Sequence, residues 1–161
     1  EMEKMLSDYL QFSRSTATEK TEKFNLSLLL DLTIKNYENK KISVNIDPNV
    51  YIVGRKNLIQ RCINNLINNS TRYAEKIDIR LEKLKNSILI FIDDDGIGIP
   101  KSEHENVFKP FYKIDKARSD SKSSVGLGLS IASDIIKSHG GNIELGKSEL
   151  GGLRVKILLP F

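Results

Sequence analysis

The sequence contains no tryptophan, one cysteine and four prolines in 161 residues. With a single thiol, Cys62, no internal disulfide can form, and a reducing compartment is compatible with the chain. Cys62 lies among Leu58, Ile59, Ile63 and Leu66, which reads as a small buried hydrophobe. Aromatic residues make up only 7%, and the cations that gather on one loop have no aromatics between them, so base stacking on nucleic acid has little support. Long apolar runs are missing as well. Ile88–Ile92 and Val155–Phe161 fall short of the roughly 18 residues that a membrane span requires. No stretch shows a signal-peptide pattern. Neither sign of charge dominates, because 25 Lys and Arg face 21 Asp and Glu for a net +4. That balance admits an anionic ligand without arguing for nucleic acid. The two histidines, His104 and His139, have no metal-ligand spacing and read as surface or cap residues. Ser130 and Ser133 lack the turn that would make either a nucleophile.

What is present, 39% hydrophobic and 29% charged residues, is the composition of one folded domain with room for a short appendage. The chain begins at Glu1 rather than Met, which reads as a piece of a longer protein. Over Glu1–Arg14, Met2, Met5, Leu6, Tyr9, Leu10 and Phe12 form one apolar helical stripe suited to a partner helix. Ser13–Lys23 is polar and reads as a linker. Asn25 is a good N-cap for a helix reaching to about Lys40. Strands are expected at Ile42–Ile46, Val50–Val53, Ile77–Leu84, Ile88–Asp93, Asn142–Leu145 and Leu153–Leu159, with helices at Asn57–Tyr73 and Leu127–His139. Glu103–Phe111 reads as a short amphipathic turn or helix. Mixed helices and strands without strict alternation predict an α+β fold, a two-layer α/β sandwich with about three helices on one face of a mixed sheet.

Three segments carry candidate chemistry. Five Asn between Asn57 and Asn69 are a local cost to a helix that solvation alone does not explain. Asn65 and Asn69 lie four apart on one helical face, with Arg61 and Arg72 extending it, and an amide oxygen suits Mg²⁺ beside phosphates. Asp95-Gly96-Ile97-Gly98 follows the most apolar strand, where a carboxylate can accept a hydrogen bond from an exocyclic amine such as adenine's. The glycines allow close backbone approach or a sharp turn. It is not a calcium loop, because Phe91 occupies the first ligand position. Gly126-Leu127-Gly128 opens a helix whose free N–H groups attract phosphate. Neither the Walker spacing nor the dinucleotide fingerprint is met there.

The order of these motifs resembles the catalytic, ATP-binding domain of sensor histidine kinases, the Bergerat-type ATP fold. Asn65–Tyr73 resembles the N box, Asp93–Gly98 the first glycine box, Phe108–Phe111 the F box and Val125–Leu129 the second glycine box. Gly151-Gly152 matches the small residues before the last strand. Asp8-Tyr9-Leu10 and Arg72-Tyr73-Ala74 further resemble the EnvZ-type osmosensor kinases. The resemblance implies residues 1–17 as the end of a dimerisation and phosphoacceptor-domain helix, 18–24 as linker and 25–161 as the catalytic domain.

It also implies ATP and Mg²⁺ as cofactors. By resemblance Asn69 ligates the metal with Asn65 supporting it, and Arg72 contacts phosphate, which makes these three the catalytic residues. Tyr73 packs near the nucleoside, Asp95 takes the adenine amine, and Gly96 and Gly98 give the ring room. Phe108 and Phe111 anchor a lid of roughly Tyr112–Val125, and Gly126, Leu127, Gly128 and Leu129 close over the phosphates. Two departures stand out. Ser124 replaces a customary Gly, and the phosphoacceptor histidine is missing, so this chain alone should not phosphorylate itself.

The implied function is transfer of the γ-phosphoryl group of ATP to a histidine on a separate domain of the same or a partner protomer, then to an aspartate of an OmpR-like response regulator. The implied parent is a homodimer anchored in the bacterial inner membrane, with this domain in the cytoplasm and no nucleic-acid partner. The nearest alternative is a related chaperone-, topoisomerase- or mismatch-repair-type ATPase. Those carry a Glu where Asn65 stands, and an amide cannot serve as a base. The other is a degenerate module that binds nucleotide or supports dimers without catalysis.

Overall fold

The computed structural model describes residues 3, 6, 7, 9, 10, 14, 18–38, 41–114 and 127–161. In chain order the elements are β1 (Glu22–Asn25), α1 (Leu26–Ile34), β2 (Lys41–Ile46), β3 (Tyr51–Gly54), α2 (Lys56–Tyr73), β4 (Lys76–Lys83) and β5 (Ser87–Asp94). Two single 3-10 turns follow at Lys101–Glu103 and Asn106–Phe108, then α3 (Gly128–Ser138), β6 (Asn142–Lys147) and β7 (Leu153–Pro160). Glu3, Leu6, Ser7, Tyr9, Leu10, Arg14 and Thr18 are helical.

The strand patterns explain the sheet. Its order is β2-β4-β5-β7-β6, with β2 parallel to β4 and every other pair antiparallel. Register sets Ile79 beside Ile92 and Val155, and Leu81 beside Ile90 and Ile157. All six point to one face and are buried against Leu58, Ile59, Cys62, Ile63, Leu66 and Ile67 of α2 and Ile131, Ala132, Ile135 and Ile136 of α3. Each such aliphatic side chain contributes about 1.5–3 kcal/mol relative to exposure. Cys62 belongs to this core, its thiol 3.7 Å from the Ala132 carbonyl oxygen and its pKa pushed up to about 12 by burial.

The opposite face of the sheet is not bare. Phe91 lies between the guanidinium groups of Arg80 and Arg154, at 4.7 and 5.0 Å from its ring centre. Arg154 in turn holds Asp93 through Nε–Oδ1 at 2.7 Å and Nη2–Oδ2 at 3.1 Å. This stack covers the outer face of the central strand.

Two local expectations changed. The polar lead-in contains a strand, β1, because Phe24 is buried opposite Ile52 of β3. The helix capped by Asn25, whose Oδ1 accepts the Leu28 amide at 3.1 Å, stops at Ile34 rather than near Lys40. Beyond a turn at Lys35 and Asn36, Tyr37 packs against the core and its hydroxyl lies 3.0 Å from Oδ1 of both Asn64 and Asn68. Two of the unexplained Asn of α2 are thus partners of Tyr37.

Candidate functional site

Asn65 and Asn69 sit on the partly buried polar edge of α2, and Asn65 reaches the start of α3. Asn65 donates through Nδ2 to the Gly128 carbonyl at 3.4 Å, which leaves its Oδ1 without a partner among the described residues. The Asn69 side chain makes no hydrogen bond to a described residue. Arg72 follows one turn later, partly buried. At the start of α3, Leu127 provides no side-chain cap, and among the described residues no side chain bonds the first amides, which favour an anion. A Cβ on Gly128 would meet nothing within 4 Å. Leu127 is buried and Leu129 packs partly buried on the core, so both hold the helix start in place. Gly126 and Ser124 lie outside the described residues, as does the expected lid beyond Ile114.

The end of β5 assigns three consecutive carboxylates to three places. Asp93 pairs with Arg154 on the outer face. Asp94 is 3% exposed, and its Oδ1 accepts the amides of Gly96 and Leu153, each at 3.0 Å. Its Oδ2 has no partner among the described residues. Asp95 is partly buried, and its Oδ1 accepts the amides of Glu75 at 2.9 Å and Lys76 at 3.0 Å. The Lys76 and Glu75 hydrogen bonds hold the Asp95 carboxyl below its usual range. Asp95 therefore ties the glycine turn to the start of β4.

A Cβ on Gly96 would stand 2.7 Å from the Tyr73 carbonyl oxygen, so its bare backbone lets the end of α2 approach closely. Gly98 has φ +71 and lies beside Gly152. A Cβ on Gly152 would come within 2.2 Å of Asp94 Oδ1. Tyr73 itself is exposed.

Phe108 packs partly buried on the core. Phe111 is 54% exposed and holds a left-handed φ of 65, a strained state for an aromatic residue. Next to it, the Tyr112 hydroxyl donates to Glu103 Oε2, and this bond raises the phenol's pKa. His104 Nε2 bonds the Ile99 carbonyl at 2.9 Å, and His139 is the C-cap residue of α3.

The structure thus brings Asn65 to Gly128, and the Tyr73 backbone to Gly96. Asp94 and Tyr37 were not singled out from the sequence, although both hold neighbouring segments together here. For Asp94 a signal existed: it continues the inward parity of Ile88, Ile90 and Ile92. Among the described residues no group of three His, Cys, Asp or Glu could hold a metal. The available donors are amide oxygens, which fit Mg²⁺ where phosphates and water complete its shell.

The arrangement is a mixed sheet under helices, with the amide-rich α2 beside the start of α3. The chain belongs to the histidine kinase-, DNA gyrase B- and HSP90-like ATPase family, whose model matches residues 54–161. Within that family it is homologous to sensor histidine kinases. It is 37% identical over 123 residues to the sensor histidine kinase CpxA of Escherichia coli strain K12, covering 75% of this chain and 27% of the relative. It is 34% identical over 169 residues to the sensor histidine kinase GtrS of Pseudomonas aeruginosa, covering 99% of this chain and 33% of the relative. The chain thus spans about a third or less of these relatives. The solved histidine kinase domain of the E. coli osmosensor EnvZ superposes with a TM-score of 0.67 at 31% identity, covering 86% of this chain and 88% of that one.

Proposed function

We propose that this chain binds Mg-ATP and donates the γ-phosphoryl group to a histidine on a separate domain, which then passes it to a response-regulator aspartate. The observation that carries this reading is the meeting of Asn65 with Gly128, which sets the α2 amides beside the uncapped start of α3. Phosphate placed there meets backbone N–H groups on one side and Asn69 and Arg72 on the other. Asn69 and Asn65 would hold Mg²⁺ through their amide oxygens, and the bound ion neutralises charge between the phosphates.

Asp94, rather than Asp95, is proposed to accept the adenine amine. Its Oδ1 is fixed by two amides, its Oδ2 remains for a ligand, and it faces inward at the end of β5. Asp95 also holds two amides, those of Glu75 and Lys76, through Oδ1 alone, but it lies past the end of β5 and is less buried than Asp94. In the transfer step the acceptor imidazole nitrogen forms a bond to the γ-phosphorus as the bond to the β–γ bridging oxygen breaks, and ADP leaves. The imidazole proton passes to a base on the acceptor domain. The chain's own residues contribute positioning and charge stabilisation. Because Asn65 is a neutral amide, no base stands there to activate water, which favours transfer over hydrolysis.

Leu6, Tyr9 and Leu10 are exposed on the N-terminal helical segment. They support the proposal that this segment pairs with another helix in a homodimeric parent. No described helix is long and apolar enough to cross a membrane. The cytoplasmic placement and inner-membrane anchor of the parent are proposed by analogy with the sensor kinases.

Calorimetric titration with ATP, with and without Mg²⁺, tests the site. Asp94→Asn should weaken binding at least about tenfold, whereas Asp95→Asn should change it less than about threefold. Transfer of label from γ-³²P-ATP to a separately supplied histidine domain tests the activity, and Asn69→Ala should abolish it. Binding unaffected by Asp94→Asn would overturn the adenine assignment, and tight binding without transfer would overturn the kinase reading.

A further inference from the structure

The start of α2 is capped from a distant part of the chain. Its own N-cap residue, Arg55, makes no side-chain cap hydrogen bond. Instead, Glu19 Oε2 accepts the Asn57 amide at 2.8 Å and Glu19 Oε1 accepts the Leu58 amide at 3.0 Å. Both oxygens of one carboxylate are thereby used, beside the positive end of the helix dipole. The placement follows from β1. Its register sets Glu22 opposite Gly54, and continuing that antiparallel register by three residues carries Glu19 opposite Asn57.

The same junction is held from its other side. The Arg55 amide donates to His139 Nε2 at 3.0 Å, and its guanidinium donates to Ser138 Oγ at 2.8 Å, both at the end of α3. Further along, Asn65 bonds Gly128 at the start of α3. The two helices of the site are therefore tied at both ends of α3, and the segment leading in from the N-terminal helix is tied to the same block.

We propose that Glu19 is a strap: it clamps the lead-in segment to the start of α2, so that displacement of the N-terminal helix acts directly on the helix that carries Asn65 and Asn69. The consequence for phosphoryl transfer rests on the function proposed above, but the strap itself does not, and it is tested without nucleotide.

Two measurements on this chain test it. In hydrogen exchange, Glu19→Gln keeps one acceptor and loses the charge and the second bond, and the Asn57 and Leu58 amides should exchange at least about tenfold faster. In a spin-label distance measurement between Leu10→Cys and Leu150→Cys, the distribution should be narrow with Glu19 and broad with Glu19→Gln. Both label sites are exposed, whereas Cys62 is buried and stays unlabelled. Glu19→Asp, a methylene shorter, should be intermediate, and Glu22→Gln on exposed β1 should change neither readout. Faster exchange with an unchanged distance distribution would reduce Glu19 to a cap and overturn the strap. Unchanged exchange would overturn it as well.

Discussion

The Asp94 carboxylate and the Leu153 amide are joined at 3.0 Å, which fastens the end of β5 to the first residue of β7. Gly152 stands immediately before that bond, and its amide donates to the Asp94 carbonyl at 3.0 Å. Any Cβ there would lie 2.2 Å from Asp94 Oδ1 and 2.5 Å from the Gly96 nitrogen. Gly152→Ala should therefore destabilise the domain by about 1–3 kcal/mol through overpacking and weaken nucleotide binding at the same time. Urea unfolding and ATP titration read the two effects. An unchanged unfolding midpoint would show that the loop accommodates the methyl group.

Asp95 links the same turn to acid stability. Its carboxyl titrates below the ordinary 3.8 because the amides of Lys76 and Glu75 stabilise the charged form. A depressed carboxylate contributes stability that is present above the unfolded value and lost as pH falls through the lower folded value. Asp95→Asn should lower the melting temperature near neutral pH and flatten its decline below pH about 4. A mutant whose melting curve follows the parent's across that range would show that these bonds contribute nothing to stability.

His139 predicts a second pH dependence with a different window. Desolvation, with the charge of Arg55 adding to it, holds the ring below its ordinary 6.5 against the opposing effects of the Ile135 hydrogen bond and Glu19. Its Nδ1 lies 2.7 Å from the Ile135 carbonyl and its Nε2 accepts the Arg55 amide, so the ring is neutral with its proton on Nδ1. A protonated ring cannot accept that amide. Below pH 6.5 the unfolded chain binds the proton more readily, so stability falls as pH drops from there through the folded value. His139→Gln keeps a donor and an acceptor without titrating, and should remove this slope in melting curves taken between pH about 7 and 5.

Arg154 serves two neighbours, and replacing it separates the roles. Arg154→Lys retains charge but loses the two-point hold on Asp93 and the planar stack on Phe91. The Asp93 side chain is 5% exposed, and Arg80 approaches it only at 4.0 Å. A loss of about 1.5–3 kcal/mol is expected from the charged hydrogen bonds, measured by urea unfolding. Asp93→Asn with Arg154→Lys should recover part of that loss, and a double mutant whose loss equals the sum of the single losses would exclude coupling.

Much of the fold was legible because burial follows periodicity. Ile77, Ile79 and Leu81 alternate as a strand with one buried face must, and Leu58, Cys62, Leu66 and Ile59, Ile63, Ile67 recur at helical spacing. The elements missed were those decided by contacts distant in sequence. β1 depends on Phe24 meeting Ile52, and the early stop of α1 coincides with Tyr37 reaching Asn64 and Asn68. The site was legible in part. Asn65 and Gly128 were singled out separately, and the structure brought them into contact. Among the three aspartates, local reading favoured the one beside the glycine. The alternation of β5 points Asp94 inward instead.

The sequence by itself determined the layers, the helix that bears the amides and the turn that bears the carboxylates, because backbone periodicity and glycine conformation are local properties. Only the tertiary structure decided which carboxylate is buried at the end of β5, why a Cβ at Gly96 or Gly152 would crowd its neighbours, and that Glu19 caps a helix 38 residues away. Those outcomes depend on hydrogen-bond partners and close approaches between segments, and only the folded chain brings such segments within reach of one another.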